Sequence, residues 1–76
     1  MDKLTSLKIG VYARILNIDE KATLKVKRRL LELGFTHGQK VRVIRKSILG
    51  QTYLVQIRGY LLSMRKSLAE FLVVEK

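Results

Sequence analysis

The amino-acid sequence predicts a mainly β domain: a small closed or nearly closed barrel of about five short strands, with one α-helix between strands 1 and 2. Three observations carry that expectation. Several short segments alternate their apolar residues with period two, as Val11, Ala13 and Ile15 do, and later Tyr53, Val55 and Ile57. A single stretch, Lys21 to Leu33, repeats its apolar residues at helical spacing. Turn-forming glycines, Gly10, Gly34, Gly38, Gly50 and Gly59, fall between these segments. Strands this short would leave exposed sheet edges, which closure into a barrel removes.

Val11 to Ile18 reads as the first strand, with Tyr12, Arg14 and Leu16 on the face opposite Val11, Ala13 and Ile15. In the helix, Ala22, Val26, Leu30 and Leu33 share a face, while Leu24 and Leu31 lie together on its flank and widen the apolar arc. Asp19 is the expected N-cap, with Glu20 in the first turn; Asn17, three residues before Glu20, is the alternative cap. Gly34 is the expected stop just past the helix. Phe35 to Lys40 is a turn, and Val41 to Lys46 is the second strand. Leu49-Gly50-Gln51 marks a hairpin connection. Tyr53 to Arg58 and Tyr60 to Met64 are two further strands separated at Gly59. Ser67 to Phe71 is one helical turn, and Leu72 to Val74 is a last strand.

The whole sequence, residues 1–76, reads as one domain without linker, repeat or proline. A domain of this size buries only about 60% of the surface its unfolded chain exposes, which leaves little room for a deep catalytic cleft. Its 47% hydrophobic content argues against disorder. Sixteen Lys and Arg against six Asp and Glu leave a net charge of +10, which points to an acidic partner or nucleic acid. No cysteine is present, so disulfides and thiolate zinc sites are excluded. The opening Met1-Asp2-Lys3-Leu4-Thr5 has no apolar h-region behind it, and runs such as Phe71-Leu72-Val73-Val74 are far too short to span a bilayer. A cytoplasmic protein is expected.

Catalytic chemistry is hard to assemble from these residues. Asp19 and Glu20 are the one adjacent carboxylate pair, and helix capping accounts for them. His37 is the sole histidine, in a turn with no Asp, Glu or further His within four residues, so it is the one weak metal candidate and no metal site is expected. Gly34-Phe35-Thr36-His37-Gly38 lacks the Lys-Ser or Lys-Thr of a phosphate loop, and no cofactor is expected. The basic residues form three groups: Lys25, Lys27, Arg28 and Arg29; Arg42, Arg45 and Lys46; Arg58, Arg65 and Lys66. Glu32 is placed to pair with Arg28 or Arg29, leaving Lys25 and Lys27 free. Tyr53 and Tyr60 could stack bases, but Tyr53 falls on the apolar face, so aromatic interleaving for nucleic acid is weak.

The segment from Arg28 to Val41, RRLLELGFTHGQKV, resembles the signature of FeoA-like domains, an R-x-L-L-x-L-G-hydrophobic-x-P-G-x-x-V pattern. Val55 to Ala69 resembles the second block of that family, and Leu7-Lys8-Ile9-Gly10 its usual start. The resemblance covers nearly the whole sequence. It implies an SH3-like β-barrel, and a non-enzymatic accessory protein of bacterial ferrous-iron uptake. The partner it implies is the cytoplasmic, GTP-hydrolysing part of the FeoB membrane transporter, so the protein would be membrane-proximal without spanning the membrane. A related domain closes iron-dependent repressors of the diphtheria-toxin-repressor type, whose separate DNA-reading domain this sequence lacks. One position departs from the pattern: His37 stands where the family often has proline.

Leu30, Leu33, Gly34, Gly38, Val41 and Gly59 all have structural explanations, so a partner is expected to meet residues that folding does not need. These are Leu24, Lys25, Lys27, Arg28 and Leu31 on the helix, with Tyr60 and Arg65 on the later strands. A basic rim would speed encounter with an acidic partner, and the apolar anchors would supply affinity. The alternatives are a small basic nucleic-acid-binding barrel, which the leading reading does not expect, and a weak transition-metal-binding module acting through His37 and a second chain.

Overall fold

The computed structural model describes residues 2–76. Its elements in chain order are β1 (Asp2–Lys3), a 3₁₀ turn (Leu4–Ser6), β2 (Tyr12–Ile18), α1 (Leu24–Glu32), β3 (Lys40–Lys46), β4 (Thr52–Ile57), β5 (Tyr60–Arg65), α2 (Lys66–Ala69) and β6 (Leu72–Glu75). The strands form one antiparallel sheet in the order β1-β6-β2-β3-β4-β5. Two expectations are corrected here. There are six strands among the described residues, because the two-residue β1 pairs with β6, Asp2 opposite Val74 and Lys3 opposite Val73. A strand of two residues has no period to read. The principal helix therefore lies between β2 and β3. The sheet also does not close, since β1 and β5 remain its two edges.

Curvature comes from two bulges. Ile15 pairs with Val74 and Asn17 with Val73, so Leu16 is the extra residue of β2. Val43 pairs with Val55 and Arg45 with Leu54, so Ile44 is the extra residue of β3. Each bulge bends its strand and increases the local twist, which wraps the sheet around a single core. Leu4, Leu7, Ala13, Ile15, Leu30, Phe35, Val41, Val43, Tyr53, Val55, Ile57, Met64, Ala69, Leu72 and Val74 make up that core. Tyr53 belongs to it as its alternation predicts, and its hydroxyl donates to the Thr5 carbonyl at 3.3 Å.

The helix begins later than the sequence suggests. Thr23 is the N-cap, its Oγ1 accepting from the Val26 N–H at 3.2 Å. Asp19 is occupied elsewhere. Its carboxylate takes the Lys3 ammonium at 2.6 Å and the Lys21 N–H at 2.9 Å, while its own N–H donates to the Phe71 carbonyl at 2.7 Å. Residues 19–22 are thus a turn tied to the N-terminal segment and to the approach of β6. Asn17 bonds the Ile18 carbonyl and caps nothing.

The C-terminal end follows expectation. The Gly34 N–H reaches the Leu31 carbonyl at 3.0 Å, and the Phe35 N–H reaches the Leu30 carbonyl at 3.1 Å. This is a Schellman closure, with Leu30 and Phe35 meeting in the core. Gly34 supplies the required positive φ, +106°.

Candidate partner-binding site

Helix α1 sends Leu30 into the core and packs Val26 and Leu33 against it. At about 100° per residue that leaves Leu24, Arg28 and Leu31 together on the outward face. Leu24 is 71% exposed and Leu31 50% exposed, so neither is spent on folding. Beside this face runs an open groove of about 590 Å³, lined by Leu24, Lys25, Val26, Arg28, Arg29 and Glu32 of α1 and by Leu68 of α2.

Lys25 and Arg28 line this groove together with Leu24. Lys27 is half-buried and, with Leu31, lies outside the groove lining. Glu32 forms no ion pair with Arg28 or Arg29; the ion pair among the described residues is Lys3–Asp19. The cations of α1 are consequently all free to meet an acidic surface. Arg29 and Leu68 line the groove as well, beyond the residues expected from the sequence. Helical periodicity over Lys66–Ala69 is too short to show which face Leu68 takes.

Tyr60 and Arg65 sit at opposite ends of β5, about 17 Å apart along the strand. Tyr60 reaches the helix: its hydroxyl donates to the Leu33 carbonyl at the C-terminal end of α1. That bond fastens the β4–β5 hairpin to the helix. Its two-residue turn, Arg58-Gly59, has positive φ at both positions, the geometry of a type I′ hairpin. Arg65 lies opposite Thr52 at the far end.

A second basic area surrounds Tyr12. The Lys40 ammonium is 4.4 Å and the Arg42 guanidinium 4.7 Å from the centroid of its ring. These cations already occupy the ring, so Tyr12 is not a free platform for stacking a base.

His37 has a local role. Its Nδ1 lies 2.8 Å from the carbonyl of Leu16, the extra residue of the β2 bulge. A carbonyl only accepts, so Nδ1 carries the proton and Nε2 is left toward solvent. The ring thereby holds the turn to the bulge, where a proline would instead have stiffened the backbone. Among the described residues no group of three or more His, Asp or Glu converges to hold a metal ion. No helix of the described residues is long and apolar enough to cross a membrane.

Comparison with known proteins places this arrangement. The FeoA domain model matches residues 3–76. The solution structure of a FeoA protein from Chlorobium tepidum superposes with a TM-score of 0.85 at 38% identity, over 97% of this chain and 69% of that one. The crystal structure of Stenotrophomonas maltophilia FeoA complexed with zinc superposes with a TM-score of 0.84 at 32% identity, over 99% of this chain and 91% of that one. That protein is described as a prokaryotic SH3 domain protein and a candidate ferrous iron transport activating factor. A manganese-dependent transcriptional repressor shares the fold at 18% identity, with a TM-score of 0.86 over 96% of this chain and 35% of the repressor. No curated protein sequence matches. The open six-stranded sheet is thus of the SH3-like type.

Proposed function

The chain belongs to the FeoA domain family, and from that premise we propose that it is a non-enzymatic accessory protein of bacterial ferrous-iron uptake. It works in the cytoplasm by docking on the GTP-hydrolysing part of a FeoB-type membrane transporter. The observation that carries the docking surface is the outer face of α1. Leu24 and Leu31 stand exposed there beside the groove that Lys25, Arg28 and Arg29 line with Leu68. Exposed aliphatic side chains ringed by unpaired cations suit a partner with apolar pockets and an acidic rim. The description of the S. maltophilia relative supports the transport role. Lys27 adds to the basic rim, and Tyr60 and Arg65 extend the contact along β5.

The test is titration of the protein into the isolated cytoplasmic domain of a FeoB-type transporter. Leu24→Asp should raise Kd by at least about tenfold, the equivalent of about 1.4 kcal/mol. Lys25→Glu with Lys27→Glu should slow association and flatten its salt dependence. Circular dichroism checks that each variant folds. Folded variants that both bind like the parent would remove α1 as the docking surface.

A further inference from the structure

The β3–β4 hairpin ends in a turn whose aliphatic side chains bury almost nothing. Ile48 is 103% exposed and Leu49 84% exposed. Two adjacent aliphatic side chains in water forgo the gain that burial would bring. The turn itself is well bonded. Ser47 Oγ accepts from the N–H groups of Gln51 and Thr52, both at 3.1 Å. The Ser47 N–H donates to the Thr52 carbonyl, and the Gly50 N–H to the Ser47 carbonyl, each at 2.8 Å. These bonds fix a turn that holds the pair in solvent.

Cations stand behind it. Arg45 and Lys46 lead into the turn, the Lys46 ammonium lying 5.2 Å from the centroid of the Tyr53 ring. Strand β5 brings Arg65 opposite Thr52, and the Lys66 N–H donates to the Gln51 carbonyl at 2.8 Å. Neither 45–54 nor 60–69 contains an Asp or Glu. An apolar tip backed by four cations, with Glu70 at the end of α2 the first acid along the chain after them, is complementary to an anionic bilayer. The acyl region accepts an aliphatic wedge without needing a shaped pocket, and the headgroups meet the cations. A protein partner would instead have to supply a matching cavity.

The geometry points to the Ile48–Leu49 tip as a membrane-surface element that seats this protein reversibly on anionic phospholipid. Ile48 and Leu49 share no residue with the outer face of α1, and Arg65 alone belongs to both surfaces, so substitutions at Ile48 and Leu49 test the tip independently of docking there.

Flotation of the full protein with vesicles measures it, using phosphatidylcholine alone against an equimolar mixture with phosphatidylglycerol. The parent should float with the anionic vesicles and stay behind with the neutral ones. Ile48→Ser with Leu49→Ser should lower the partition coefficient on the order of 100-fold, about tenfold for each aliphatic side chain withdrawn. Arg45→Gln with Lys46→Gln should lower it about 25-fold, about fivefold per cation. The charge-matched control is Lys40→Gln with Lys76→Gln, beside Tyr12. Lys40 is about 20 Å from Lys46 along β3, more than two Debye lengths, so this control should change partition less than about threefold. Leu24→Asp should float like the parent.

The chain has no tryptophan, so Leu49→Trp gives an independent readout. Its emission should move to shorter wavelength with anionic vesicles and be quenched by brominated lipid. The proposal is overturned if the parent binds no vesicles, or if the doubly serine-substituted tip binds like the parent. It also fails if the distant control loses as much as the tip cations, or if the tryptophan is indifferent to lipid. A parent that is dimeric through the tip and ignores vesicles would assign the tip to self-association and overturn it as well.

Discussion

Gly34→Ala probes how firmly the end of α1, and with it the outer face of the helix, is held. Gly34 has a φ of +106°, beyond the left-handed helical well, where an L side chain is strained. Left-handed backbone costs a non-glycine residue about 1–2 kcal/mol, and this φ belongs at the upper end. An added Cβ would also lie 2.7 Å from Arg58 Cδ, with Nη1 at 3.6 Å and Cγ at 3.7 Å. Carbon atoms settle at about 3.5–4.0 Å, so the Arg58 stem has to withdraw by about 1 Å. Arg58 is exposed, and moving it adds up to about 1 kcal/mol by the cost of an off-rotamer side chain. The sum is about 2–3 kcal/mol, a large part of the roughly 4–11 kcal/mol that stabilises a domain of 76 residues. At about 4–8 °C per kcal/mol in a domain this small, Tm should fall by about 8–24 °C. The assay is thermal unfolding of the parent, Gly34→Ala, Arg58→Ala and the double variant. The cycle separates the two causes, because in the Arg58→Ala background the glycine substitution should cost about 0.5–1 kcal/mol less. A Gly34→Ala protein that melts within about 3 °C of the parent would refute the backbone argument. An unchanged cost in the Arg58→Ala background would refute the steric one.

Two further predictions concern the start of the helix. Thr23→Ala removes the oxygen that caps the Val26 N–H and should cost about 1 kcal/mol, read as a Tm decrease of about 4–8 °C; an unchanged Tm would return the cap to another residue. The Lys3 ammonium, and after it the Lys21 N–H, hold the Asp19 carboxyl below the usual carboxylate range. A lowered folded-state pKa gives a contribution that is complete above the unfolded value of about 3.9 and lost as pH falls through the folded one. The Tm difference between the parent and Asp19→Asn should therefore hold steady from neutral pH down to about pH 5 and shrink below about pH 4. A difference of the same size at pH 7 and pH 3 would contradict the Lys3–Asp19 link.

What could be read beforehand follows the range of the physics involved. Alternation put Val11, Ala13 and Ile15, then Val41 and Val43, then Tyr53, Val55 and Ile57 on shared faces, and all but the half-buried Val11 lie in the core, because a strand's period of two is set by its own backbone. Gly34 was legible as the helix stop because only glycine tolerates that φ without strain. The N-cap was not legible. Asp19 and Thr23 are both good caps, and the choice turned on Lys3 and Phe71, each far from Asp19 in sequence and each drawing it into a turn. The site divides in the same way. Leu24, Lys25 and Arg28 follow from helical spacing, whereas Leu68 enters the groove only because the fold brings α2 to its opposite wall.

The sequence by itself determined a small, strongly basic, mainly β domain with one principal helix, where that helix ends, and the family to which it belongs. Those properties reside in periodicity, net charge and single residues with unusual backbone tolerance, all of which are local. The tertiary structure alone decided that the sheet stays open, that bulges at Leu16 and Ile44 bend it, that the Leu16 carbonyl takes the His37 ring, and that Glu32 leaves its arginines unpaired. It likewise decided that Ile48 and Leu49 stand exposed at the β3–β4 turn. Strand register and side-chain pairing depend on residues far apart along the chain, whose relative positions exist only once the sheet has formed.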